Sequence, residues 1–201
     1  RQFAVADGAL FISAPLADDL GSNTGNVYHF NARYPRVSIT AGDVTEGDDG
    51  SQFVTVEVTR SYNAGDLINP STIRYYTTNQ SASAADGDFQ AVSGTLFFSG
   101  DPTATTQTQT FTVEIFGDIT AEADEYFYIW ADPENNGHRA VADIVRIYDD
   151  DEAHISIEDL TVSEGVGTAT VTITLNRPVD TTVSVEFETI DNTALADDGY
   201  H

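Results

Sequence analysis

The chain has 201 residues, 40% of them hydrophobic, with 33 acidic against 8 basic residues and a net charge of -25. That apolar share is enough for a packed core and excludes an acidic disordered tail. The charge excludes nucleic acid and anionic membranes as partners, since phosphate binding needs clustered Lys or Arg. It leaves metal cations and basic surfaces. With no Cys, disulfides, thiol catalysis and Cys-based zinc or iron–sulfur centres are excluded as well. No apolar run reaches the length of a membrane span, so no membrane insertion is expected. Arg1 stands where an initiator Met would and no signal peptide is visible, which reads as a segment of a longer or processed chain.

Residues 1–35 read as a segment of their own. Two short strands, at 9–15 and 25–30, are joined by a turn at 16–24 rich in Asp, Gly, Ser and Asn. The run from Phe11 to Phe30, FISAPLADDLGSNTGNVYHF, resembles an FG-GAP repeat, the blade unit of integrin-like β-propellers. It lacks the Asp-x-Asp-x-Asp-Gly calcium loop that some blades carry. A single blade cannot close a ring, so the resemblance implies the last blade of an upstream propeller. The alternative is a β-hairpin packed on the next domain.

From residue 37 the pattern becomes strand, turn, strand. Val54, Val56 and Val58 alternate with Thr55, Glu57 and Thr59, the period-2 mark of a half-buried strand. Segments 73–78, 95–98, 111–116, 125–131 and 141–147 follow, separated by Gly, Asp, Asn, Pro and Ser. With 37–41 they make seven strands in about 115 residues, the size and rhythm of an immunoglobulin-like sandwich. The expected fold is therefore all-β, a seven-stranded immunoglobulin-like β-sandwich.

An internal repeat organises the rest. Val37-Ser-Ile39 followed by Thr45-Glu46-Gly47 recurs as Ile155-Ser-Ile157 followed by Ser163-Glu164-Gly165. Val54-Thr-Val56-Glu-Val58-Thr-Arg60 is echoed by Val171-Thr-Ile173-Thr-Leu175-Asn-Arg177. The second copy reaches His201 with strand material for half a sandwich. A half-sandwich exposes its core face, so completion is expected from more of the same polypeptide or from another subunit. The domains expected are thus 1–35, 36–151 and 152–201.

The acidic residues cluster. Gly117-Asp118-Ile-Thr-Ala-Glu122-Ala-Asp-Glu125 leads straight into Tyr126-Phe-Tyr-Ile-Trp130, and no Lys or Arg in that turn neutralises its carboxylates. Together with Glu46-Gly47, Ala84-Ala-Asp-Gly-Asp88-Phe89, Ser93-Gly-Thr-Leu-Phe97 and Asp149-Asp150-Asp151, it resembles a Calx-beta domain over residues 36–151, and residues 153–201 resemble the first half of a second copy. That family is the calcium-binding sandwich of sodium–calcium exchangers, found also in large secreted or cell-surface adhesion proteins. The resemblance implies Ca2+ held by Glu46, Asp88, Asp118, Glu122, Glu125, Asp149, Asp150 and Asp151. The chemistry agrees, because calcium takes six to eight oxygens from flexible carboxylates and carbonyls, and turns of an immunoglobulin-like sandwich converge at its ends. The bland reading, solvated turn residues, suits Asp66, Asp101 and Asp191. In the second copy Glu164 is retained, but Gly199 precedes Tyr200 where the first copy has Asp88 before Phe89, so the site implied there is incomplete.

Nothing points to catalysis. The four His residues are scattered, and Gly47-Asp-Asp-Gly50 lacks the Lys and helix of a phosphate loop. The carboxylates sit in polar turns rather than in an apolar cleft, so a glycosidase pair is not expected. In the strand at 125–131, core positions Phe127, Ile129 and Ala131 leave Tyr126, Tyr128 and Trp130 on the other face. Tyr75 is placed with them and Tyr76 inward, giving a contact face for a neighbouring domain, a subunit or a carbohydrate. The function expected is a non-catalytic calcium-binding structural or adhesion module of an extracellular or cell-surface protein. Its partners would be neighbouring domains, identical subunits, or a cell-surface protein or carbohydrate. The alternatives are a filament subunit assembled by inter-subunit β-strand complementation and a calcium-sensing regulatory domain.

Overall fold

Apart from Gly165, which lies in a 3-10 turn, the regular structure of the computed structural model is all strand, among the residues it describes: 2–6, 9–14, 26–31, 35–63, 66, 69–101, 103–133, 139–163, 165 and 167–194. In chain order these are β1 (Gln2–Ala6), β2 (Ala9–Ala14), β3 (Asn26–Asn31), β4 (Arg36–Ala41), β5 (Val44–Thr45), β6 (Ser51–Ser61) and β7 (Ser71–Thr78). They continue as β8 (Ser93–Phe98), β9 (Thr106–Phe116), β10 (Glu125–Pro133), β11 (Val141–Tyr148), β12 (Ile155–Ile157) and β13 (Ile173–Leu175). The chain divides into two compact units, Arg1–Asp118 with Ala123–Asp150, and Ile119–Glu122 with Asp151–His201.

In the first unit β1, β2 and β3 form an antiparallel three-stranded sheet. The sequence pattern had marked two of these strands, and the expected turn at 16–24 lies outside the described residues. The next eight strands make an immunoglobulin-like sandwich, with β4-β6-β9 as one sheet and β5-β11-β10-β7-β8 as the other. Alternation builds its core. On β6, Val54, Val56 and Val58 are buried while Thr55 and Glu57 face out. Val113 and Ile115 of β9 continue that layer, and Phe127, Ile129 and Ala131 of β10 face it, all fully buried. The next inward position on β6 is Arg60, only 4% exposed. Burying a guanidinium costs several kcal/mol unless it is paired. Arg60 Nη1 donates to Asn69 O at 2.8 Å, and its guanidinium lies 4.9 Å from the Tyr62 ring centroid.

The pattern at 37–41 did not reveal how this edge of the sandwich closes. After β4 the chain crosses at Gly42-Asp43 to the other sheet, where β5 pairs in parallel with β11. Asp43 pins the crossing by accepting from Arg146 N–H at 3.1 Å and Tyr148 Oη at 3.2 Å. Asp143 does the same from the facing strand, taking Ala41 N–H at 2.9 Å. The sandwich therefore has eight strands rather than seven.

The face assignment of Tyr75 is corrected. Register places Tyr76 opposite Trp130 and Tyr75 opposite buried Ala131. Parity follows Ile73, which is 1% exposed, so Tyr75 points inward and stacks on Phe111 at 3.9 Å. The outward aromatic set is Tyr76, Tyr126, Tyr128 and Trp130.

In the second unit β12 and β13 pair antiparallel, with Ile155 opposite Leu175 and Ile157 opposite Ile173. In the first copy Ile39 lies opposite Val58. By the sequence repeat, the second pairing is displaced by two residues, which keeps the same side chains on the same face. Most of its described apolar residues are exposed, Phe187 at 83% and Ile190 at 80%. The Glu164 and Asp197–Tyr200 equivalents lie outside the described residues.

Phe127→Ala removes a fully buried ring from the centre of the core and should cost about 3–5 kcal/mol. Phe53→Ala, at a ring 62% exposed, should stay within about 0.5 kcal/mol of the parent. Denaturant midpoints of the two variants check both values.

Candidate metal centre

The candidate site starts from two phenylalanines. Phe89 and Phe127 stack at 4.0 Å between centroids with their planes 12° apart, both about fully buried. Asp88 precedes the first, and Glu125 lies two residues before the second on the same parity of β10. Packing the rings therefore brings those carboxylates together at one end of the core.

Local structure fixes each of them. The turn after β7 folds on Ser83, whose carbonyl accepts from Asp86, Gly87 and Asp88 N–H. Gly87 takes φ 110, a conformation that disfavours any side chain. Asp88 Oδ2 closes the turn by accepting Ser83 N–H at 2.6 Å. Its carbonyl accepts Phe116 N–H at 3.0 Å, tying the turn to the end of β9. The connection from β9 to β10 starts at Gly117, where a Cβ would lie 2.1 Å from Gly47 O and 2.8 Å from Glu46 O. Only glycine lets the two turns approach that closely.

Asp88, Glu122 and Glu125 each offer an oxygen, and the three oxygens lie within 4.8 Å of one another. Calcium–oxygen distances of about 2.3–2.6 Å put oxygens on opposite sides of one ion about 5 Å apart. Three such oxygens therefore fit a single calcium-sized cation. Among the described residues this is the group that the geometry assembles.

The other expected ligands are placed differently. Glu46 is 8% exposed and its N–H donates to Tyr148 O at 3.2 Å. Asp150 Oδ1 accepts Gly47 N–H at 3.0 Å, so this carboxylate holds the turn after β5. Asp118 is exposed and Asp149 half-buried, neither within that group of three. Asp151 is 8% exposed; its Oδ1 takes Arg177 Nη1, and its Oδ2 is buried with no hydrogen-bond partner among the described residues. The triple Asp alternates as an extended chain requires, with Asp150 outward and its neighbours more buried.

Pattern reading missed Asp43 and Asp143, which serve the sheet crossing. Their only signal was Gly42-Asp43 interrupting an alternating run. The Asp43 carboxylate holds the Tyr148 phenol above its ordinary pKa, with Asp124 acting in the same direction and Arg146 opposing. Tyr148 therefore stays a neutral donor to Asp43. Asp101 is a turn residue as expected, with Thr103 Oγ1 and N–H on its Oδ1 lowering its pKa. Asp66 likewise accepts Asn63 N–H.

A family model described as the Calx-beta domain matches residues 35–160 and again 148–201. Among solved structures the chain is similar to the apo-form Calx CBD1 domain, at 28% identity and TM-score 0.41, over 57% of this chain and 98% of that one. It is similar also to the calcium binding domain CBD12 of CALX1.1, at 29% identity and TM-score 0.43, over 58% of this chain and 45% of that one. CBD12 from CALX1.2 is similar at 25% identity and TM-score 0.41, over 65% of this chain and 52% of that one. The chain thus spans about half the length of the two CBD12 structures. Comparison with curated protein sequences gives no match.

Gly117→Ala should force the turns apart and cost about 1–3 kcal/mol, read as a lowered melting temperature. Gly42→Ala meets nothing within 4 Å and should leave the melting temperature unchanged.

Proposed function

The chain belongs to the Calx-beta family, and from that premise we propose that it is a non-catalytic calcium-binding module, with Asp88, Glu122 and Glu125 as its central ligands. The observation that carries this reading is the meeting of three carboxylate oxygens within 4.8 Å. Two of them sit on segments locked by the Phe89–Phe127 stack. In a chain of net charge -25, a divalent cation relieves the repulsion that such a cluster creates. The similar CBD12 of CALX1.1 is itself described as a calcium binding domain. Glu46 and Asp118 complete the ligand set in this reading, and Asp149, Asp150 and Asp151 shape the pole around it.

The module belongs, in this proposal, to a large extracellular or cell-surface protein with an adhesive or structural role, divided at 1–35, 36–151 and 152–201. Carboxylates on open turns suit the weak calcium affinities of extracellular modules, about 0.1–1 mM. Residues 1–35 fit a propeller-blade fragment by their sequence and by the antiparallel order β1-β2-β3. A second reading, a filament subunit, is favoured by the exposed apolar residues of the second unit, which further strands would cover. Native mass separates the two, since a discrete monomer rules out the filament.

Saturating calcium at about 100 times Kd should stabilise the chain by about 2.7 kcal/mol over chelator. Thermal melting in chelator and in millimolar calcium measures this. The double variant Asp88→Asn, Glu125→Gln should keep the parent's melting temperature in chelator within a few degrees and lose the calcium-dependent rise. A parent melting temperature that is the same in both buffers sinks the calcium reading.

A further inference from the structure

One surface of the sandwich has no part in the acidic pole. Tyr126, Tyr128 and Trp130 project from the outer side of β10, and Tyr76 joins them from β7 opposite Trp130. Their centroids step by 6.0 Å, 6.0 Å and 6.2 Å, so the four rings form a continuous ladder along β10 and onto β7. Tyr126 is 38% exposed and the others are half-buried against one another. Trp130 Nε1 donates to Thr78 Oγ1 at 3.0 Å, which fixes the indole before any partner arrives.

The ladder already holds one guanidinium. Arg74 places its guanidinium carbon 5.2 Å from the Tyr76 ring centroid, while Nη2 meets Asp132 Oδ2 at 3.3 Å. A ring and a carboxylate thus grip an arginine from this chain at one end of the strip. At the other end, Tyr126 lies opposite Arg146 in register, and Asp43 approaches that arginine at 3.7 Å. Each basic side chain on this face has an acidic neighbour, whereas the chain as a whole carries -25.

We propose that this face docks a basic, arginine-rich segment of a partner protein. Guanidinium groups would stack along Tyr128 and Trp130 as Arg74 does on Tyr76, and the surrounding acidic field would draw the segment in. Arginine stacks on aromatic faces better than lysine because its head is planar and weakly hydrated. Charge decides between occupants. A second copy of this chain would bring the same strong negative charge, and a neutral saccharide would gain nothing from the field. The inference stands apart from the calcium reading, since none of the four rings belongs to a residue assigned to the metal.

The single Trp makes the test direct, because intrinsic indole fluorescence reports Trp130 alone. The full chain is titrated, in chelator and in calcium, with synthetic peptides of alternating Arg-Gly, Lys-Gly and Glu-Gly and with a neutral linear oligosaccharide. The proposal expects a saturable emission change with Arg-Gly, a weaker one with Lys-Gly and none with Glu-Gly. Tyr126→Ala with Tyr128→Ala should weaken Arg-Gly binding about tenfold, with the circular dichroism spectrum unchanged. If that double variant unfolds, Tyr128→Leu serves instead, keeping the apolar bulk while removing the ring, and should weaken binding about threefold. Equal affinity of the ring variant and the parent overturns the proposal, since the acidic field alone would then account for binding. An emission change with the oligosaccharide and none with Arg-Gly overturns it too.

Discussion

The stacking of Phe89 on Phe127 is the contact on which the rest of the site depends. One ring follows an aspartate at the end of a tight turn; the other comes two residues after a glutamate at the start of β10. Neither carboxylate is drawn to the other, because like charges repel. Burial of two aromatic rings, each worth a few kcal/mol, holds them together instead. Hydrophobic packing thus does the work of assembling an electrostatically unfavourable cluster, and a cation then becomes its natural complement. The Ser83 turn and the Gly117 approach are secondary fasteners on the same arrangement.

Most of the sandwich was legible in the sequence because one face of each strand is dry. Val54, Val56 and Val58, and Phe127, Ile129 and Ala131, could be read inward from period alone, and the structure places them there. Where both neighbours in a strand are large and aromatic, period gives no parity, and this misplaced Tyr75 and Tyr76. Cross-strand register settles it, through Tyr76 opposite Trp130. The two-residue β5 was invisible for another reason, since two residues cannot show a period. Its existence depends on Asp43 and Asp143, whose roles are tertiary.

The acidic pole was legible as a set and less so as individuals. The family resemblance implied eight carboxylates, and the geometry groups three of them by their oxygens. Asp150 is spent on the Gly47 amide, and Asp151 on Arg177. A carboxylate in a turn has two competing uses, closing the backbone or meeting an ion, and local sequence does not distinguish them. Arg177 shows the same limit from the other side. Its repeat equivalent Arg60 caps the core through Asn69 O, yet Arg177 meets a carboxylate. Sequence similarity between the copies carried over the residue and not its partner.

The short parallel pairing of β5 with β11 bears on how the sandwich responds to tension along the chain. Parallel strands point the same way, so a pull toward the amino end of β5 and the carboxyl end of β11 slides one past the other. Asp43 to Arg146 and Tyr148, Glu46 to Tyr148, and Gly47 to Asp150 all span that seam. Sliding loads these bonds together, whereas a hairpin pulled at its open end breaks them in succession. A seam five residues long can therefore act as a mechanical clamp out of proportion to the area it buries.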